Sequence, residues 1–178
     1  QSYIDSAFNY NNNTWFLAHK FSIELKKHLI EHPETFNYAF DSLQKHVTIS
    51  ISNDSLLKTY SWYETYGGSW HNIVSIAQFK TKDKIDTLSI TGGEGGSGEC
   101  TDASYFKIQT LKQDENKFYL LTGWGTHGGG QHHKIMRAFK IEERELIELD
   151  SIFDNQKRLC ISIPRIETIN LSFNEKRK

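Results

Sequence analysis

The chain has little proline, little cysteine and no excess of charge, and each scarcity removes something. Two prolines in 178 residues leave extended segments free to pair along their whole length. Twenty-one Lys and Arg against 22 Asp and Glu give a formal charge of −1. A general nucleic-acid or membrane-surface binder needs a basic excess to displace counterions, so neither is an expected partner. No apolar run approaches the ~18 residues that a membrane span requires. Nucleophile signatures are missing too: there is no G-x-S-x-G, and no Cys, Ser or Thr has a recognisable activating neighbour. The run Glu142, Glu143 and Glu145 reads as a solvated turn.

What the chain does have is aromatic mass, 11 Phe, 8 Tyr and 4 Trp, enough to build a core from few residues. Its one methionine is Met136 and it begins at Gln1, which fits removal of a secretory signal peptide. The expected location is therefore periplasmic or extracellular. Cys100 and Cys160 either close a disulfide or stand as two separate buried thiols, and their spacing allows both.

Periodicity divides the chain near residue 46. Leu17, Phe21, Leu25 and Leu29 recur every four positions, the stripe of an amphipathic helix capped by Asn13 or Thr14. Pro33 then reads as the first turn of a second helix with Phe36, Phe40 and Leu43 as its stripe. His19, His28 and His32 fall at helix spacing and read as surface residues. From Val47 onward the period is two. Ten strands separated by short polar turns are expected, the last at Ile166–Phe173. The expected architecture is α+β in one domain, 1–178. It comprises an N-terminal extension 1–12, a helical hairpin 13–46, an antiparallel meander 47–173 and a polar tail 174–178. The meander is a curved sheet, barrel or sandwich.

Three stretches carry possible chemistry. Gly93, Gly95 and Gly98 match G-x-G-x-x-G, but that fingerprint needs a helix after it, and the segment from Cys100 to Leu111 reads as strand. The glycine hairpin around Gly128 holds His127, His132 and His133, residue types that bind Zn²⁺, Cu²⁺ or Ni²⁺. On a strand His132 and His133 point to opposite faces, so one ion would not easily take both. Further ligands would have to come from Glu94, Glu99 or His71. The third stretch, Tyr60 to His71, gathers Trp62, Trp70, three tyrosines and a histidine around Gly67-Gly68. Tyr60 and Trp62 share one face of a strand, Ser61 and Tyr63 the other. One aromatic pair should be core, while others suit a sugar or peptide.

The residues Tyr60-Ser61-Trp62, Glu64-Thr65, Gly67-Gly68 and His71, with the later Tyr119 to Gly125, give the chain a family look. It resembles a group of exported, β-rich proteins of Bacteroidetes-type bacteria, departing from them at Trp70 and at Tyr63. That group has no established activity, so the resemblance implies export and a β-rich domain and no catalytic residue. The expected function is a non-enzymatic binding module for a protein or glycan, one form being an immunity-type protein that blocks a toxin. Trp62, Trp70, His71 and Trp124 are its contact residues, and no cofactor is expected. Two other readings stand beside it. One is a metal-dependent hydrolase holding Zn or a similar ion through His127, His132 or His133, the other a structural accessory domain.

Overall fold

The period-four stripe becomes the inner face of one helix, α1 (Thr14–Glu31), with Phe21, Leu25 and Leu29 buried. It belongs to a computed structural model that describes residues 14–67, 70–91, 100–113 and 115–174. The expected extension 1–12 and nearly all of the tail lie outside the described residues, as do the glycines from Gly92 to Gly98. Among the described residues, no helix is long and apolar enough to cross a membrane.

The second helix does not form, so there is no helical hairpin. In its place are two short 3-10 turns, Pro33–Asn37 and Leu43–Lys45, with Tyr38 extended and Phe40 at φ 58° between them. A left-handed residue ends a right-handed helix. The cause sits 20 residues away. The buried Lys58 ammonium donates to the carbonyls of Phe36 (3.2 Å) and Tyr38 (2.6 Å), acceptors that a continuing helix would have kept for its own amides. Phe40 instead folds edge-on against Tyr60, at 5.9 Å between centroids, and Lys80 lies over the Phe36 ring.

Burial, with the Lys80 charge, pulls the Lys58 pKa down to about 8 from an ordinary 10.5. The unfolded chain therefore binds the extra proton more readily across that interval, so folding stability should rise as pH passes upward through 8. The climb should end near pH 10. There Tyr60, Tyr105 and Tyr119, all held above the usual phenol range by burial, begin to favour the unfolded state. Urea unfolding across this window should show a slope of at most about 1.4 kcal/mol per pH unit. Lys58→Met should lose that slope. A wild-type profile as flat as the variant's would show that the two carbonyls, with the Phe40 and Tyr60 rings 5.0 and 5.4 Å from the ammonium, hold it as well as water does.

Among the described residues nine strands follow, all paired antiparallel. β1 (Thr48–Ile51), β2 (Leu57–Gly67), β3 (Trp70–Lys80) and β4 (Ile85–Ser89) form one sheet in chain order. β5 (Ser104–Gln113), β6 (Asn116–His127), β7 (Gln131–Glu142) and β8 (Glu145–Glu148) form a second. β9 (Arg158–Pro164) runs along the edge of β7 next to β8, pairing Gln131 to Arg137 while β8 pairs Phe139 to Glu142. The tenth strand expected at Ile166–Phe173 is absent. Pro164 offers no amide, a turn closes from Glu167 N to the Pro164 carbonyl, and Ile166 is 95% exposed.

The two sheets face each other and do not close into a barrel. Leu57, Ala77, Phe79 and Ile90 of one meet Tyr105, Tyr119, Leu121, Ile135 and Phe139 of the other. Helix α1 covers the outer face of the first sheet, on Tyr60, Trp62 and Ile76. Leu149, Phe153 and Leu171 cover part of the outer face of the second, on Leu111, Leu120 and Met136. Cys100, just before β5, is disulfide-bonded to Cys160 in β9, with Cα atoms 5.9 Å apart. Buried on the inner side of β7, Arg137 grips Glu148 with two hydrogen bonds (2.6 and 2.7 Å) and donates to Tyr105 Oη (2.9 Å) and the Ile90 carbonyl.

Candidate functional site

Four glycines shape the β6–β7 hairpin in two ways. Gly129 and Gly130 turn it at φ 74° and 73°. Gly123 and Gly125 instead make room. A Cβ at Gly125 would stand 2.1 Å from the Asp102 carbonyl oxygen and 2.5 Å from His133 Nε2, so only glycine lets that imidazole lie across the strand. Gly123 makes the same space under Tyr105.

Strand alternation then sorts the histidines. Gly125 pairs with His133 and Thr126 with His132, which sends the two imidazoles to opposite faces. His127 falls on the His133 side, with Nδ1 atoms 3.5 Å apart. His133 is fully buried and its Nε2 lies 2.9 Å from the Asp102 carbonyl oxygen. His127 is half-buried, its Nε2 3.4 Å from Ser162 Oγ on β9. The three histidines do not converge, and no group of three His, Cys, Asp or Glu gathers among the described residues. Glu94 and Glu99 lie outside those residues, and His71 is engaged elsewhere.

The same alternation sorts the aromatics. Trp62 is 1% exposed beneath α1, edge-on to Phe21 at 5.5 Å, with its indole N–H donating to Ser22 Oγ (3.3 Å). It belongs to the core and makes no contact surface. Nearby Glu64 accepts from Ser22 Oγ (2.8 Å) and Asn72 Nδ2 (2.9 Å), which ties α1 to β2 and β3. The Trp70 side chain lies outside the described residues. Tyr63 points to the opposite side of β2 from Trp62 and joins His71 (5.6 Å) to Trp124 (6.3 Å), and Trp124 meets His132 at 6.2 Å. All three contacts are edge-to-face, the geometry that ring quadrupoles favour. His71, Tyr63, Trp124 and His132 thus form one strip across both sheets, and each is half-buried. A hydrogen bond from the His71 amide to Thr126 Oγ1 (3.2 Å) stitches the sheets together beside it.

No protein-family model, curated protein or solved structure matches this chain. Its site is therefore argued from its own chemistry. Of the expected contact residues, His71 and Trp124 are joined in the structure through Tyr63, which the sequence reading did not select as a contact. That reading also passed over Phe106, which is 47% exposed with the Lys134 ammonium 5.0 Å from its ring centre. A register shift between Tyr105 and Lys107 leaves Phe106 outside the ladder, and a bulge has no signature in a run of alternating residues. Burial lowers the Lys134 pKa from its ordinary value. After the glycine-rich segment comes β5, a strand, so no helix N-terminus stands there to hold a pyrophosphate. A cleft of about 880 Å³ lies among Asn53, Asp54, Thr110, Lys112, Phe118 and Phe173, and no residue selected from the sequence lines it.

Proposed function

We propose that this chain is an exported, non-enzymatic binding module. It contacts a protein or glycan partner through the strip His71–Tyr63–Trp124–His132 and the neighbouring Phe106. One observation carries the reading: four rings in consecutive edge contact are half-buried and bridge two hydrogen-bonded sheets. Rings fixed in this way lose little conformational freedom when a ligand covers them, and aromatic side chains dominate the energetics of such contacts. Lys134 adds a cationic donor at the edge of the strip. The Cys100–Cys160 disulfide supports the location, because such bonds persist in oxidising compartments. One form such a module takes is an immunity-type protein that blocks a toxin.

The test is a soluble glycan array run in parallel with a displayed random-peptide library, using the wild-type chain and Trp124→Ala. One panel should yield a ligand whose affinity falls about thirtyfold in the variant, equivalent to a loss near 2 kcal/mol. The variant should unfold at a lower midpoint, because Trp124 packs on Tyr63 and His132, so affinities are compared at a temperature where both proteins are folded. Failure of both panels, or a ligand indifferent to Trp124, removes the proposal.

A further inference from the structure

His127 and His133 share a face of the β6–β7 hairpin that His132 and Trp124 do not, and their chemistry is separate from that of the aromatic strip. The Asp102 carbonyl oxygen 2.9 Å from His133 Nε2 can only accept, so Nε2 carries the proton and the neutral ring directs its Nδ1 lone pair elsewhere. That lone pair faces His127 Nδ1 at 3.5 Å. On the far side of His127, Ser162 Oγ lies 3.4 Å from Nε2 and 3.4 Å from the His132 carbonyl. The hydroxyl can donate to Nε2, leaving the His127 Nδ1 proton to bridge the two rings. It can equally turn to the carbonyl and accept a proton from Nε2. In the second arrangement the two Nδ1 lone pairs repel each other, and a cation toward which both rings turn would relieve that repulsion.

We propose that His127 and His133 bind one tetrahedral transition-metal ion, Zn²⁺ foremost, through their Nδ1 atoms. The separation decides between geometries. Zn–N bonds of about 2.0–2.1 Å at a tetrahedral angle place two nitrogens roughly 3.3–3.4 Å apart. Adjacent ligands of a square-planar ion stand only about 2.9 Å apart. The observed 3.5 Å matches the first separation, and the half-buried His127 ring must tilt by about 30° from the present N···N line to aim its lone pair at a shared tetrahedral ion. Both outer nitrogens already have the partners that orient metal-ligating imidazoles, a backbone carbonyl for His133 and a hydroxyl for His127. Besides that tilt, binding redistributes protons: the His127 proton moves from Nδ1 to Nε2 and the Ser162 hydroxyl turns to the His132 carbonyl. Two protein ligands leave the remaining positions to water or to a donor atom from a bound partner.

The experiment is zinc titration by calorimetry on tag-free protein, stripped with EDTA and dialysed, near neutral pH. One equivalent should bind. His127→Ala should weaken it at least tenfold, Ser162→Ala should weaken it by about tenfold as an outer partner, and His132→Ala should leave it unchanged. His133 is fully buried and its replacement risks misfolding, so the half-buried His127 carries the test. Cobalt(II) provides a second readout: the wild type should show the intense visible bands of a tetrahedral ion and His127→Ala should not. The proposal is overturned if a several-fold excess of zinc is not taken up, if uptake survives His127→Ala intact, or if His132→Ala alone abolishes it. Because His127 lies off the aromatic strip, ligand capture through Trp124 stands or falls independently of this result.

Discussion

Arg137→Met is expected to destabilise the fold by about 3–5 kcal/mol, the scale for breaking a buried ion pair from one side. Arg137 is 6% exposed, and the side chains of the pair are 7% and 13% exposed within the second sheet, so the lost charge leaves Glu148 largely desolvated. Burial alone would oppose the arginine's charge. The bidentate Glu148 carboxylate and Tyr105 outweigh it and hold the guanidinium above its ordinary range. Methionine keeps much of the volume over the Phe139 ring, which the guanidinium carbon now covers at 5.0 Å, so the loss reports the charge network and not a cavity. Left behind would be Glu148 with Lys157 at 3.9 Å, and the Tyr105 hydroxyl and the Ile90 carbonyl without the Arg137 donor. The double variant Arg137→Met/Glu148→Leu removes the orphaned charge and should recover most of the stability. Urea unfolding of the three proteins checks both steps. A double variant as unstable as the single one would mean that the backbone contact at Ile90, not the ion pair, holds this region.

Arg137 also marks the limit of what the residue pattern conveys. The four-residue stripe of α1 and the alternation of β2 are local properties. From them the helix was legible, as were the opposed faces of Tyr60/Trp62 and Ser61/Tyr63. So was the splitting of His132 from His133. Long-range partners were not. Arg137 alternates with His133, Ile135 and Phe139 on the inner face, where a charge looks misplaced until Glu148 is known to sit beside it. Lys58 dismantles a helix that the spacing of Phe36, Phe40 and Leu43 supports well, because two carbonyls find a better donor across the fold. The strip was half legible for a similar reason. Alternation shows that Tyr63 leaves the Trp62 face, but only the meeting of two hairpins shows that it lands on Trp124.

Removing the disulfide should produce the other large effect. Cys100 and Cys160 are 60 residues apart, and a cross-link closing a loop of that length stabilises by about 4 kcal/mol in the chain-entropy model. The enclosed segment contains β5 to β8 entire, so an unfolded chain without the bond gains the freedom of almost the whole second sheet. Cys100→Ala/Cys160→Ala should therefore lower the unfolding free energy measured in urea by most of that amount, and reduction of the wild type should match it. Some local order should survive, since the Arg158 guanidinium donates to the Cys100 carbonyl (2.9 Å) whether or not the sulfurs are joined. The position of the bond makes a finer prediction. Asp102 follows Cys100 by two residues and Ser162 follows Cys160 by two, so the cross-link braces both outer partners of the His127–His133 pair. Zinc affinity should fall in the double variant even at temperatures where it remains folded, while ligand capture through Trp124 should not. A variant that loses stability yet binds zinc like the wild type would show that the β6–β7 hairpin alone sets the geometry of the pair.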